Sequence, residues 1–177
     1  MGTQDWWLRA RYGLQITEVP ATREAFVEPV AGELVNVSPV LVPLHSRAPD
    51  DSVGTWVVQG SVGLAYGAYL YNTSQSDGDE VSWENMVRLP GGTYDLRFSA
   101  LTDTWCGIME IHIDDALVGS VDLYSGVQVP AAAFLIEDVV LELGWHDLKI
   151  KVNNKNESSA GYTVDISGFL EFHAHAD

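Results

Sequence analysis

The sequence predicts an all-β protein: an antiparallel β-sandwich wound as a jelly roll, with an extended N-terminal arm. Three observations carry this. After residue 54, apolar and polar residues alternate with period two through run after run, as strands with one buried and one wet face do. Turn signals ("SDGD", "PGG", "DD", "GW", "NNKNESSAG") separate the runs at short intervals. No segment carries a helical stripe; "VPAAAFLI" at 129–136 comes nearest, but it is short and begins at a proline. Seven or eight short strands without helices assemble as a sandwich, and closed sandwiches of this size commonly wind as jelly rolls. A chain of 177 residues holds one domain, or one domain plus an arm, and buries roughly 70% of its unfolded surface.

The first element is the arm, residues 1–54. Five of the seven prolines (Pro20, Pro29, Pro39, Pro43, Pro49) fall in the first fifty residues, and thirteen of the sixteen glycines fall after them. Proline fixes φ and removes a ladder donor, so this spacing favours extended, non-sheet or edge structure. Residues 55–177 form the sandwich. Val81, Trp83, Val87 and Leu89 share one face of a strand. "TYDLRFSA" turns Tyr94, Leu96, Phe98 and Ala100 inward. In "GIMEIHIDDALVGSV", Ile111 and Ile113 point into the core, Glu110, His112 and Asp114 point out, and Asp114–Asp115 form a hairpin corner before Val118 and Val121. "HDLKIKV" buries Leu148, Ile150 and Val152, and "YTVDISGFLEF" gives Tyr162, Val164, Ile166, Leu170 and Phe172 one parity. Such alternation fits antiparallel sheets packed face to face.

Net charge is −16, from 9 basic and 25 acidic residues. That argues against a nucleic-acid partner, which needs clustered Lys and Arg, and favours solubility. The charge is uneven: residues 1–50 carry 4 basic and 6 acidic side chains, and the remainder 5 and 19. No apolar run approaches the roughly 18 residues of a membrane span, so no membrane partner is expected. The start, "MGTQDWWLRARYG", lacks the pattern of a secretion signal. The single cysteine, Cys106, makes no internal disulfide.

"LPGGTYDLRFSALTDTWCGIMEIHIDDALVGSVDLYSG" resembles a module of tailed-phage head-fibre, decoration and tail proteins, through Gly92-Thr93-Tyr94, Gly107-Ile108, the Asp114-Asp115 corner and Gly119 to Ser125. "GWHDLKIKVNNKNESSAGYTVDISGFLEF" resembles that module's last two strands and "YGAYLYNTSQSDGDEVSWENMVRL" its opening, so the resemblance spans roughly residues 66–172. Asp115 departs from the family's frequent glycine, and Trp105-Cys106 from its smaller polar pair. The resemblance implies a jelly roll like those of carbohydrate-binding modules, often trimeric and exposed on a virion. The expected function is a bacteriophage structural protein: a capsid decoration or minor head protein on the capsid surface that stabilises the particle. Its partners would be the major capsid protein or another virion protein, and two further copies of itself. The alternative is a receptor- or carbohydrate-binding module of a tail or head fibre, with a host-surface glycan as ligand.

Candidate binding residues are Trp105, Trp6 and Trp7. Sugar faces stack on exposed aromatic rings; Trp105 lies in the loop entering a strand, with simple packing as the competing reading. Trp6 and Trp7 are adjacent, so on an extended arm they point oppositely, and one could anchor the arm in a partner's groove. Trp83 has core parity. Glu110, His112 and Asp114 read as a solvated strand face, because alternate side chains stand about 6.5–7 Å apart, too far to share one small ion easily. His173, His175 and Asp177 read as a polar terminus. Asp77, Asp79 and Glu80 carry the oxygens calcium prefers, but without an EF-hand spacing, and read as an acidic loop. The expectation is no metal, no cofactor and no enzyme: no nucleophile elbow, zinc-protease motif or P-loop occurs.

Overall fold

The computed structural model describes residues 39–60 and 68–175, which all fall in one compact unit, Val35–Asp177. Among them there is no helix, and two antiparallel sheets form the sandwich. The larger has the order β1 (Val40–Pro43), β12 (Phe169–Ala174), β6 (Gly92–Thr102), β11 (Asp165–Ser167), β4 (Ala68–Asn72), β3 (Trp56–Gly60), with β9 (Val129–Leu141) on the other side of β6. The smaller runs β2 (Asp51–Val53), β5 (Glu80–Leu89), β10 (Gly144–Val152), β7 (Ile108–Ile113), β8 (Ala116–Asp122).

The period-two faces meet between the sheets. Tyr94, Leu96, Phe98 and Ala100 of β6 oppose Val81, Trp83, Met109, Ile111, Leu148 and Ile150, all buried. Fully burying one such side chain contributes about 1.5–3 kcal/mol, so this interior is the main source of stability. Trp83 is buried as its parity predicts, and its indole N–H donates to the Arg47 carbonyl at 3.3 Å. The run 129–136 lies in β9, pairing with β6 from Val129↔Thr102 to Leu141↔Gly92. β9 also closes on the smaller sheet: a Cβ on Gly119 would come 2.4 Å from the Ile136 Cδ1 atom, so only glycine lets the two edges meet there.

The segment expected as an arm divides. Residues 1–38, with Trp6 and Trp7, lie outside the described residues. From Val40 onward the same segment supplies β1, paired with β12, and β2, paired with β5. Pro43 is the last residue of β1 and faces Phe169. A missing N–H is tolerated at a sheet edge, so the proline spacing marks edge strands here.

Strand registers decide which loops share an end. Val53 and Lys151 both pair with Glu80, Lys151 also pairs with Glu110, Ile108 pairs with Asp122, and Asp165 with Tyr71. Residues 54–55, 73–79, 103–107, 123–128 and 153–164 therefore gather at one end of the sandwich. The Asp114–Asp115 corner lies at the opposite end, where the Asp114 N–H reaches the Asp147 carbonyl at 3.1 Å.

Candidate functional site

The gathered loops build one locked, exposed aromatic. The loop 103–107 runs between two others. On one side the Ser125 N–H donates to the Asp103 carbonyl at 3.2 Å; on the other, Ala160 and Thr163 N–H groups donate to the Thr104 and Trp105 carbonyls at 2.8 and 3.0 Å. The Ser159 hydroxyl donates to the Cys106 carbonyl at 2.7 Å. Glycines make this contact possible: a Cβ on Gly161 would lie 2.9 Å from the Trp105 oxygen, and one on Gly107 would lie 3.2 Å from Tyr162 Cα. Trp105 emerges from this clamp with 57% of its surface exposed.

Asp103 lies buried at the start of the same loop. Its carboxylate accepts the Thr104 N–H at 2.6 Å and, at the second oxygen, the Gln128 amide at 2.8 Å. The neighbouring Trp105 side chain, first, and then these donors hold Asp103 below the usual carboxylate range. Half-buried Tyr124 and Tyr162 come from the two flanking loops, and the Lys155 ammonium stands 4.9 Å over the Tyr162 ring centroid. Asn156 donates to Asp122 at 2.7 Å, tying those same loops together. An exposed indole can stack on a sugar ring, and the hydroxyl, amide and ammonium groups on the loops either side of it can hydrogen-bond sugar hydroxyls.

The other candidates are spread over the molecule. Asp79 turns inward and accepts from Asn72, the Ser74 hydroxyl and the Ser76 N–H at 3.0, 2.8 and 2.9 Å, while Asp77 accepts the Asn154 N–H at 2.6 Å; both fasten loops. Asp114 and Asp115 are the two turn residues of the β7–β8 hairpin, with φ of 51° and 63°, the left-handed geometry that Asp tolerates. Asp114 also binds the buried His146 ring at 2.6 Å, and Asp115 pairs with Lys149 at 2.7 Å. His112 lies 3.0 Å from Glu110. Burial pushes the Glu110 carboxyl up, but the Asn153 amide and His112 outweigh it and leave it below its ordinary range. His173 pairs with Glu171 and His175 with Asp95; Asp177 lies outside the described residues. Among the described residues, no group of three or more His, Cys, Asp or Glu could hold a metal ion. The Cys106 thiol is buried, which pushes it up to about 11, so it is held in the inert protonated form.

No family model and no curated protein matches this sequence. Solved structures do match it. The chain is similar to a part of a Paenibacillus xanthan lyase, at 21% identity and a TM-score of 0.58, over 80% of this chain and 14% of that one. It is similar to a family 35 carbohydrate-binding module from Clostridium thermocellum, at 18% identity and a TM-score of 0.57, over 78% of this chain and 100% of that one. A β-1,3-glucan-binding family 6 module from Bacillus halodurans matches at 19% identity and 0.54, over 76% of this chain and 96% of that one. The chain thus spans about one seventh of the lyase but the whole of the family 35 module. The fold is the jelly-roll β-sandwich of carbohydrate-binding modules.

Tyr124, Tyr162 and Asp103 have no motif of their own. Their signal is the run of Gly107, Ser159 and Gly161 that lets three loops touch, and it shows only once strand order is known.

Proposed function

We propose that this chain is a glycan-binding module, with Trp105 as the stacking platform at the loop end of the sandwich. The observation that carries the reading is that Trp105 is 57% exposed while its backbone is clamped by the glycine-backed 159–163 loop. An exposed aromatic that serves packing alone gains nothing from being aimed outward. A loop clamped before binding loses little freedom when the ligand arrives, which favours affinity. The carbohydrate-binding folds among its structural neighbours support the same reading. So do the polar rim residues Tyr124, Asn156 and Tyr162.

The particle setting rests on the resemblance of residues 66–172 to tailed-phage modules: the module would be displayed on a virion, attached to the capsid or another virion protein, and would engage a host-surface glycan. Capsid decoration and trimeric assembly belong to this same reading and rest on that resemblance alone.

A glycan array probed with the wild-type chain and with Trp105→Ala tests the assignment. The expected result is binding to a restricted set of glycans that falls by about tenfold or more in the variant, the size of a central aromatic hot spot. Glycan binding that survives Trp105→Ala unchanged would remove this site from consideration. No glycan binding at all, combined with saturable binding of the chain to phage capsids, would favour the decoration role.

A further inference from the structure

The outer face of the larger sheet carries a second constellation, far in sequence from Trp105. On β4, Tyr69 and Tyr71 point away from the core while Leu70 and Asn72 point into it. Their rings lie 6.0 Å apart between centroids at 45°, forming two tilted walls. Asp165 of β11 is in register with Tyr71, and Gln59 of β3 is in register with Tyr69. Asp165 lies on the same outer side, since its neighbour Ile166 is buried. On the β6 side, the Ile166↔Ala100 pairing puts the uncharged Leu101 beside Asp165.

The geometry points to this face as a binding site for an alkylammonium group, with Asp165 as counter-ion and Tyr69 and Tyr71 as the aromatic walls. Three features converge on that ligand. Tyrosine faces attract cations through the ring quadrupole. Burial pushes the Asp165 carboxyl up, to about 7, and among the described residues neither a cation nor a hydrogen-bond donor counters it. The titratable groups that feel Asp165, namely Tyr69 and the buried Cys106 thiol, are both raised partly by its charge, and neither brings a positive charge. An incoming ammonium supplies the missing positive charge, and a net charge of −16 steers cations toward the chain. The Gln59 amide and the tyrosine hydroxyls give the rim donors and acceptors for hydroxyl groups. An amino sugar with a free amine fits better than a bare amine.

The test titrates the full chain with tetramethylammonium, glucosamine and N-acetylglucosamine and follows backbone amide shifts by NMR. Tetramethylammonium and glucosamine should give saturable shifts centred on Tyr69, Tyr71 and Asp165. N-acetylglucosamine, which has no charge, should give none there. Asp165→Asn should weaken both cations by about tenfold, as losing one partner of a close charge pair does. Tyr71→Phe should keep binding and Tyr71→Leu should lose it. Tetramethylammonium should bind more tightly at about pH 8 than at about pH 6, because Asp165 ionises between them. The proposal is overturned if shifts are absent, or if Asp165→Asn binds equally well, which would leave only general attraction to an acidic chain. It is also overturned if a lysine amide binds while glucosamine does not. Trp105→Ala should leave these titrations unchanged, so failure here and failure of the loop-end reading are separable.

Discussion

Truncating Asn72 to alanine tests how the loop end is held together. The Asn72 side chain is fully buried and makes three bonds across the molecule. Its amide donates to Asp79 at 3.0 Å and to the Tyr162 carbonyl at 3.1 Å, and its oxygen accepts the Val164 N–H at 2.7 Å. One side chain thus ties the end of β4 to the 73–79 loop and to the 153–164 loop that backs Trp105. Alanine would strand the Val164 N–H and deprive the Tyr162 carbonyl of that donor, while Asp79 would keep Ser74 and Ser76. Each stranded buried group costs about 1–3 kcal/mol, so the loss should be about 3–5 kcal/mol. For a chain of this size that is a fall of roughly 6–20 °C in Tm. Urea unfolding should show a lower midpoint with an unchanged slope. Asn72→Asp should be no better, because it sets a second carboxylate against Asp79. A loss below about 1 kcal/mol for alanine, or wild-type stability for aspartate, would refute the claim that Asn72 clasps these loops.

Other consequences can be checked in the same preparations. Gly161→Ala places a methyl 2.9 Å from the Trp105 carbonyl and should cut glycan affinity by isothermal titration several-fold more than it cuts stability, where overpacking costs about 1–3 kcal/mol. Asp165 has a folded-state pKa raised to about 7 against 3.8 unfolded. Its protonation therefore stabilises the fold fully below 3.8, and that contribution is lost as pH rises to 7; Asp165→Asn should flatten the stability–pH curve in that window and be more stable than the parent above it. His175, held above 6.5 chiefly by its hydrogen bond to Asp95, should titrate above that value by NMR and drop back in Asp95→Asn. The Cys106 thiol should resist alkylation in the folded chain and react only on unfolding, at the rate of global opening.

The readable parts of this chain are those where information is local. β6 and β10 announced their buried faces through alternation alone, because one wet and one dry side impose a period of two on whatever residues form them. Trp83 and the Asp114–Asp115 corner followed for the same reason. At residues 40–54 the prolines left two readings open, arm or edge strand, since both leave the N–H side unpaired, and pairing with β12 and β5 makes these residues edge strands. Tyr162 shares the parity of Val164 and Ile166 yet sits half-buried under Lys155, outside any strand, because Gly107 lets the chain cross it closely.

The two binding faces are legible only through non-local pairing, and that bears on how they would act. The tyrosines of "YLY" at 69–71 become a cage only when β11, almost a hundred residues later, brings Asp165 opposite Tyr71. Trp105 reads as a loop aromatic, but it becomes a platform only when residues 159–163 close behind it. Asn72 sits between the two: its backbone belongs to the strand carrying Tyr69 and Tyr71, and its side chain grips the carbonyl of Tyr162. Loosening that grip should disturb the Trp105 platform first, because the cage rests on sheet pairing and the platform on loop contacts. In Asn72→Ala, glycan affinity at the loop end should fall while tetramethylammonium binding at Asp165 persists at temperatures below the transition. Parallel loss of both would mean that the sheet itself depends on the clasp.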